Sequence, residues 1–119
     1  MKSEFGLING HPLSLFIPED PKEIENGYRG RDIKEGEAMF FPLGRAQLVP
    51  IEVGGLAGKL DILFLVNNKI RTMVEKFKGD VICAPADAVL EVPAGFCEKQ
   101  SLKLNDVFVL LKGFDAKES

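Results

Sequence analysis

The chain has 119 residues, 45% of them apolar and 28% charged, which suits one compact domain able to bury about two-thirds of its unfolded surface. It therefore needs neither disulfide nor metal to fold, and the composition excludes disordered, collagen-like and disulfide-scaffold classes. A net charge of −3 argues against an electrostatic nucleic-acid binder.

In chain order, Leu13-Ser14-Leu15-Phe16-Ile17 alternates and ends apolar, so it reads as a strand that Pro18 stops. Asp20 then caps a helix of about two turns: Pro21 fits the first helical position, Glu23 completes a capping box, and Gly27 can end it. Ile24 is the expected buried contact of that helix. A polar turn, Lys34-Glu35-Gly36-Glu37, precedes a strand over Ala38–Phe41, which Pro42 should end. Gln47–Val53 reads as a further strand, placed at an edge or on a bulge by Pro50.

Leu60–Val66 carries the strongest strand signal and, apolar on both faces, should be central and covered on both sides. The Asn67-Asn68 turn after it favours a hairpin. Ile70, Met73, Val74 and Phe77 also keep helical spacing, so Lys69–Lys78 stays open between strand and helix. Strands are expected over Ala88–Val92 and Asp106–Leu111, with a short helical turn from Pro93 and Gly95 between them. The fold class is mainly β: a single compact β-barrel or β-sandwich-like domain over residues 1–119 with one or two short helices. Its core lies at about 13–111, and 112–119 is expected to be a frayed tail.

No apolar run of signal-peptide length follows Met1–Gly6, and the longest apolar run, Ile62–Val66, is far too short to span a bilayer, so the expectation is a cytoplasmic protein without membrane contact. Cys83 and Cys97 have neither a third thiol nor a histidine at metal spacing and are expected to be buried and inert. No cofactor or metal is expected.

Three runs, in order, resemble an uncharacterised family, domain of unknown function 192. They are Gly27-Tyr28-Arg29-Gly30-Arg31 continuing to Glu35–Phe41; Leu60-Asp61-Ile62-Leu63-Phe64-Leu65; and Ala88–Gly95 with the later Leu102–Val107. The resemblance covers most of residues 13–111 and implies a compact β-rich fold with short helices and no established activity. One departure stands out. Where the family typically carries a Phe-Trp-Met-Lys-Asn-Thr run, this chain has Ile51-Glu52-Val53-Gly54-Gly55-Leu56, and it contains no tryptophan. No binding residue carries over there.

The candidate chemistry is sparse. Gly54–Lys59 looks like a phosphate loop, but the spacing is one residue short, Leu60 stands where Ser or Thr is required, and a strand follows where a helix is needed. Gly54, Gly55 and Gly58 instead suggest an exposed loop where a ligand or partner is met. His11, the only histidine, lies in the turn Asn9-Gly10-His11-Pro12 with nothing to share a metal. Asp61 opens an apolar strand and must find a donor or a cation, so it is first a structural carboxylate and second a ligand contact. Arg29 and Arg31 could grip a carboxylate or phosphate. Glu91, between Leu90 and Val92, should face water. Lys69, Arg71, Lys76 and Lys78 make a basic strip with too little aromatic character for single-stranded nucleic acid.

The leading expectation is a non-catalytic domain binding a small molecule or a protein near the glycine loop, through Asp61, Arg29, Arg31, Gly54, Gly55 and Gly58, as a monomer or weak homodimer. The alternative is a small hydrolase-like enzyme built on Asp61 with Arg29, Arg31 or His11. A third possibility is a homo-oligomer, presenting an apolar patch from Phe40 and Phe41 or an uncovered edge strand.

Overall fold

The computed structural model describes residues 1–27 and 33–111. Strands β1 (Lys2–Ile8) and β2 (His11–Ile17) form a hairpin. Its two-residue turn is Asn9-Gly10, with φ of 48° and 80°, the positive values that match a turn to the twist of the strands. Lys2–Ile8 carries no strand signal of its own, being polar until Phe5, and gains its order from pairing with β2 along its whole length.

Helix α1 (Pro21–Asn26) starts as its capping box requires: Glu23 N donates to Asp20 Oδ1 at 2.8 Å, and Asp20 N donates to Glu23 Oε1 at 3.4 Å. Gly27 ends it at φ 52°. Ile24 departs from expectation. It is 54% exposed, and the helix buries none of its residues.

Strand β3 (Glu37–Glu52) runs through Pro42 instead of stopping there, joining the two expected strands into one. The sign of Pro42 is a broken register: β3 pairs with β6 (Val81–Pro93) up to Pro42↔Ala88 and again from Gln47↔Ala86, with a four-residue excursion between. A residue without an N–H is tolerated where the ladder is interrupted. Strand β6 likewise begins seven residues before the expected Ala88 and passes through Pro85.

Strand β4 (Leu60–Val66) lies between β6 and β5 (Lys69–Val74), as its apolar run predicts. Asn67 and Asn68, at φ 51° and 63°, make the tight turn into β5, which settles Lys69–Val74 as a strand. Helix α2 (Phe96–Lys99) and strand β7 (Phe108–Leu110) complete the described elements.

The seven strands form one mainly β sheet in the order β5-β4-β6-β3-β2-β1-β7, antiparallel except where β2 meets β3. The sheet curls into a half-barrel, and the approach to β7 ties its two edges together. Asn9 N donates to Val107 O on one side, while Ile70 N donates to Asp106 O and Phe108 N to Asn68 O on the other. The inner core holds Leu13, Leu15, Phe40, Leu63, Leu65, Leu90 and Phe108, with the Phe40 and Phe108 rings 5.1 Å apart. Gly6 makes room for it: a Cβ there would meet Phe108 at 2.8 Å.

A second cluster lies on the outer face of the sheet, built from Val49, Val53, Leu60, Ile62, Phe64 and Val89 with Phe41, Leu56 and Phe77 against it. Phe40 and Phe41 form no joint patch, because they lie on opposite faces of β3: Phe40 is buried in the inner core and Phe41 is half-buried against the outer cluster. The expected tail, 112–119, lies outside the described residues.

Candidate functional site

The outer face holds a cavity of about 530 Å³. Its floor is the sheet itself, through Val89 and Glu91 of β6 and Leu60 at the start of β4. Phe41, Leu43 and the stretch Val49–Glu52 of β3 form one wall. Val53 and Leu56, at and within the 3-10 turn Gly54–Leu56, form another, and α1 overhangs the opening with Ile24, Glu25, Asn26 and Gly27. The exposure of Ile24 follows from this geometry, since its helix borders the cavity instead of packing on the core.

Glu91 is the unexpected member. Strand alternation sends Leu90 and Val92 to the inner core and Glu91 to the opposite face, as the sequence implies. That face is not open to water, however. Glu91 is 6% exposed, between its strand partners Met39 and Ile62, both fully buried. Gly27 shapes the same corner: a Cβ at its positive φ would sit 3.5 Å from both Glu91 Oε1 and Phe41 Cζ. The charged residues among the described lining are Glu25, Glu52 and Glu91.

Asp61 is fully buried and does not border the cavity. Its Oδ1 accepts from Lys76 N at 2.9 Å, and its Oδ2 accepts from Gly95 N and Cys97 N, each at 3.1 Å. Gly95 is the N-cap of α2 and has no side chain with which to cap it. A carboxylate from β4 performs that task instead, and its oxygens are occupied by backbone donors. Asp61 thus performs the first of the two roles expected of it, that of a structural carboxylate.

Within the enzymatic alternative, the pairing of Asp61 with His11 is not supported by the geometry. Asp61 opens β4, whereas His11 follows the Asn9-Gly10 turn, which bonds to Val107 near the far end of β4. Five residues of strand, about 17 Å, separate those ends. Among the described residues, no group of three His, Cys, Asp or Glu is placed to hold a metal.

Cys97 is buried beside Asp61. Burial first, and the Asp61 carboxylate second, push its thiol far above the ordinary value, so it stays protonated. Cys83 corrects an expectation: it is exposed, because the stretch of β6 before Ala88 has β3 but not β4 beside it.

Gly54, Gly55 and Gly58 do not line the cavity, but their turn lies against it. Gly54 and Gly58 take φ of 58° and 76°, and Gly58 N donates to Phe77 O at 2.8 Å, which presents Val53 and Leu56 to the opening. Arg29 and Arg31 lie outside the described residues. Glu91 was open to the reasoning applied to Asp61, as a carboxylate inside the apolar run Val89–Val92. The apolar wall residues carry no such signal, since in sequence they are indistinguishable from core.

The family model of DUF192, described as "Uncharacterized ACR", matches residues 7–110. No curated protein matches the chain. Two crystal structures share the fold. One, from Sinorhizobium meliloti 1021, is called a "putative transcription regulator"; it is 24% identical with a TM-score of 0.80, over 92% of this chain and 94% of that one. The other, a protein of unknown function from Novosphingobium aromaticivorans DSM 12444, is 19% identical with a TM-score of 0.75, over 89% and 84%. At these identities the likeness is one of fold.

Proposed function

For a chain that belongs to the DUF192 family, and so inherits a fold with no assigned reaction, we propose that the outer-face cavity binds a small, largely apolar molecule. The observation that carries this reading is the cavity itself: about 530 Å³, walled by aliphatic and aromatic side chains with a buried carboxylate on its floor. Small-molecule sites characteristically have a volume of this order, apolar walls and few polar groups. The site sits beside the glycine turn singled out in the sequence, and it is Leu56 of that turn, not the glycine backbone, that would touch the ligand. Such a domain acts by binding, as a carrier, sensor or partner-presenting module. The cytoplasm and a monomer or weak homodimer are the setting this reading assumes.

Leu56→Trp tests it directly. Nile red, a neutral apolar dye, should bind the wild type saturably at one site, and the indole at the mouth should weaken that binding about tenfold or more through lost volume. Val109→Ser, on the exposed outer surface of β7, should leave it unchanged. Dye binding that Val109→Ser removes and Leu56→Trp spares would place the apolar site elsewhere.

A further inference from the structure

Beyond the register break, Gln47–Glu52 of β3 and Val81–Ala86 of β6 pair, among the described strands, only with each other; β2 meets β3 at Glu37–Met39, and β4 meets β6 at Ala88–Pro93. Cross-strand partners share a face, so the rungs Leu48↔Pro85, Pro50↔Cys83 and Glu52↔Val81 stand on one side of this ribbon, while Val49, Ala84 and Ala86 turn to the outer cluster. Leu48 is 68% and Val81 51% exposed, and Pro50, Cys83 and Pro85 are exposed with them. Pro50, Glu52 and Val81 also reach the cavity wall, whereas Leu48, Cys83 and Pro85 do not. We propose that this face is where two copies of the chain meet, as a weak two-fold dimer.

The edges of the ribbon are closed to an added strand. Val53 N donates to Asp80 O, which makes the rungs next to it, and every second one after, turn their amides outward. Pro50 and Pro85 stand on those outward rungs and remove one donor from each edge, so an extended peptide finds a poor template and a partner must meet the face instead. The charges at the two ends of that face are opposite. Arg45 stands beyond Gln47 at one end; Glu52 and Asp80 stand at the other, where Lys78 lies along Gly58. Arg45, Glu52 and Asp80 are exposed, and among the described residues none of them is in an ion pair. The matching partner is an apolar strip with the charges in reverse order. A second copy turned by a two-fold axis supplies it, setting Arg45 of each copy against the acidic end of the other. Three rungs offer on the order of 300 Å² per copy, against the roughly 800 Å² of a stable interface, so the dimer is a weak one.

Sedimentation velocity from about 1 μM to about 1 mM should show a reversible monomer–dimer equilibrium in the upper part of that range, weakened by added salt. Leu48→Glu, at an exposed position that the fold does not depend on, should raise the dimer Kd about tenfold or more, while Val109→Ser on β7 should leave it unchanged. Arg45→Glu should raise it about three- to tenfold, and adding Glu52→Arg should bring it back, because the swap restores opposite ends. Iodoacetamide should label Cys83 more slowly as the protein concentration rises through the same range. A chain that stays monomeric at about 1 mM overturns the proposal and leaves the face to a partner of different sequence. So does a dimer that Leu48→Glu leaves intact, or one in which the charge swap fails to restore what Arg45→Glu removes. The cavity reading stands or falls separately, on the binding of Nile red.

Discussion

Two acidic side chains in apolar strands meet opposite fates. Asp61 ends among three backbone N–H groups and serves the chain's own geometry; Glu91 ends buried on the floor of a cavity. Replacing Asp61 by Asn keeps the shape but sets an amide NH2 against N–H donors and leaves a buried donor unpaired. The expected cost is about 2–4 kcal/mol, read from urea unfolding midpoints. Because Asp61 also helps hold up the Cys97 thiol, the two residues have a joint readout. Iodoacetamide at neutral pH should alkylate Cys83 in the native wild type and leave Cys97 untouched. Both should react after unfolding, and in Asp61→Asn the labelling of Cys97 should become measurable. Equal native labelling of both thiols would contradict the burial of Cys97.

Among the elements, α1 stands apart because nothing in the core holds it. Its order comes from local bonds: the capping box, Glu19 N donating to Glu23 Oε1 at 3.0 Å, and the terminal ammonium 2.9 Å from Glu23. The Glu19 N–H first, and the terminal ammonium next, lower the Glu23 carboxyl below its ordinary range. A carboxyl lowered in the folded state stabilises above its unfolded value of about 4.3, and that contribution is lost as pH falls through the lowered folded value. Amide exchange in α1, corrected for its intrinsic pH dependence, should therefore lose protection below about pH 4 while β4 keeps its own. Asp20→Ala should have the same local effect at neutral pH, at about 1 kcal/mol of helix stability. Simultaneous loss of protection in α1 and β4 would show that the roof of the cavity is not an independent unit.

Across the whole molecule, the sheet's two edges are brought together by the residues that lead into β7. Ile70 and Phe108 donate hydrogen bonds across this seam at 3.0 and 2.7 Å, and both side chains are buried in the inner core. Their amides should exchange only on global unfolding, with the same denaturant dependence as the amides of β4. Fast exchange at both would mean that the half-barrel opens along this seam in the native state.

What could be read before any fold was known is local. The capping box of α1, the Asn9-Gly10 and Asn67-Asn68 turns, and the two-faced apolar run of β4 depend on residues within a few positions of one another, where steric rules and hydrogen-bond chemistry act directly. These, with the family resemblance, were enough for a mainly β fold with short helices. Three features depended on what covers what. Pro42 passes within a continuous β3 because β6 changes register opposite it. Ile24 stays exposed because its helix roofs a cavity instead of a core. Glu91 is buried on a face that strand periodicity alone assigns to water. Alternation along a strand tells which side of a sheet a residue occupies; whether that side meets solvent, core or an empty space is decided by packing between distant segments, and the candidate site lies where that decision was made.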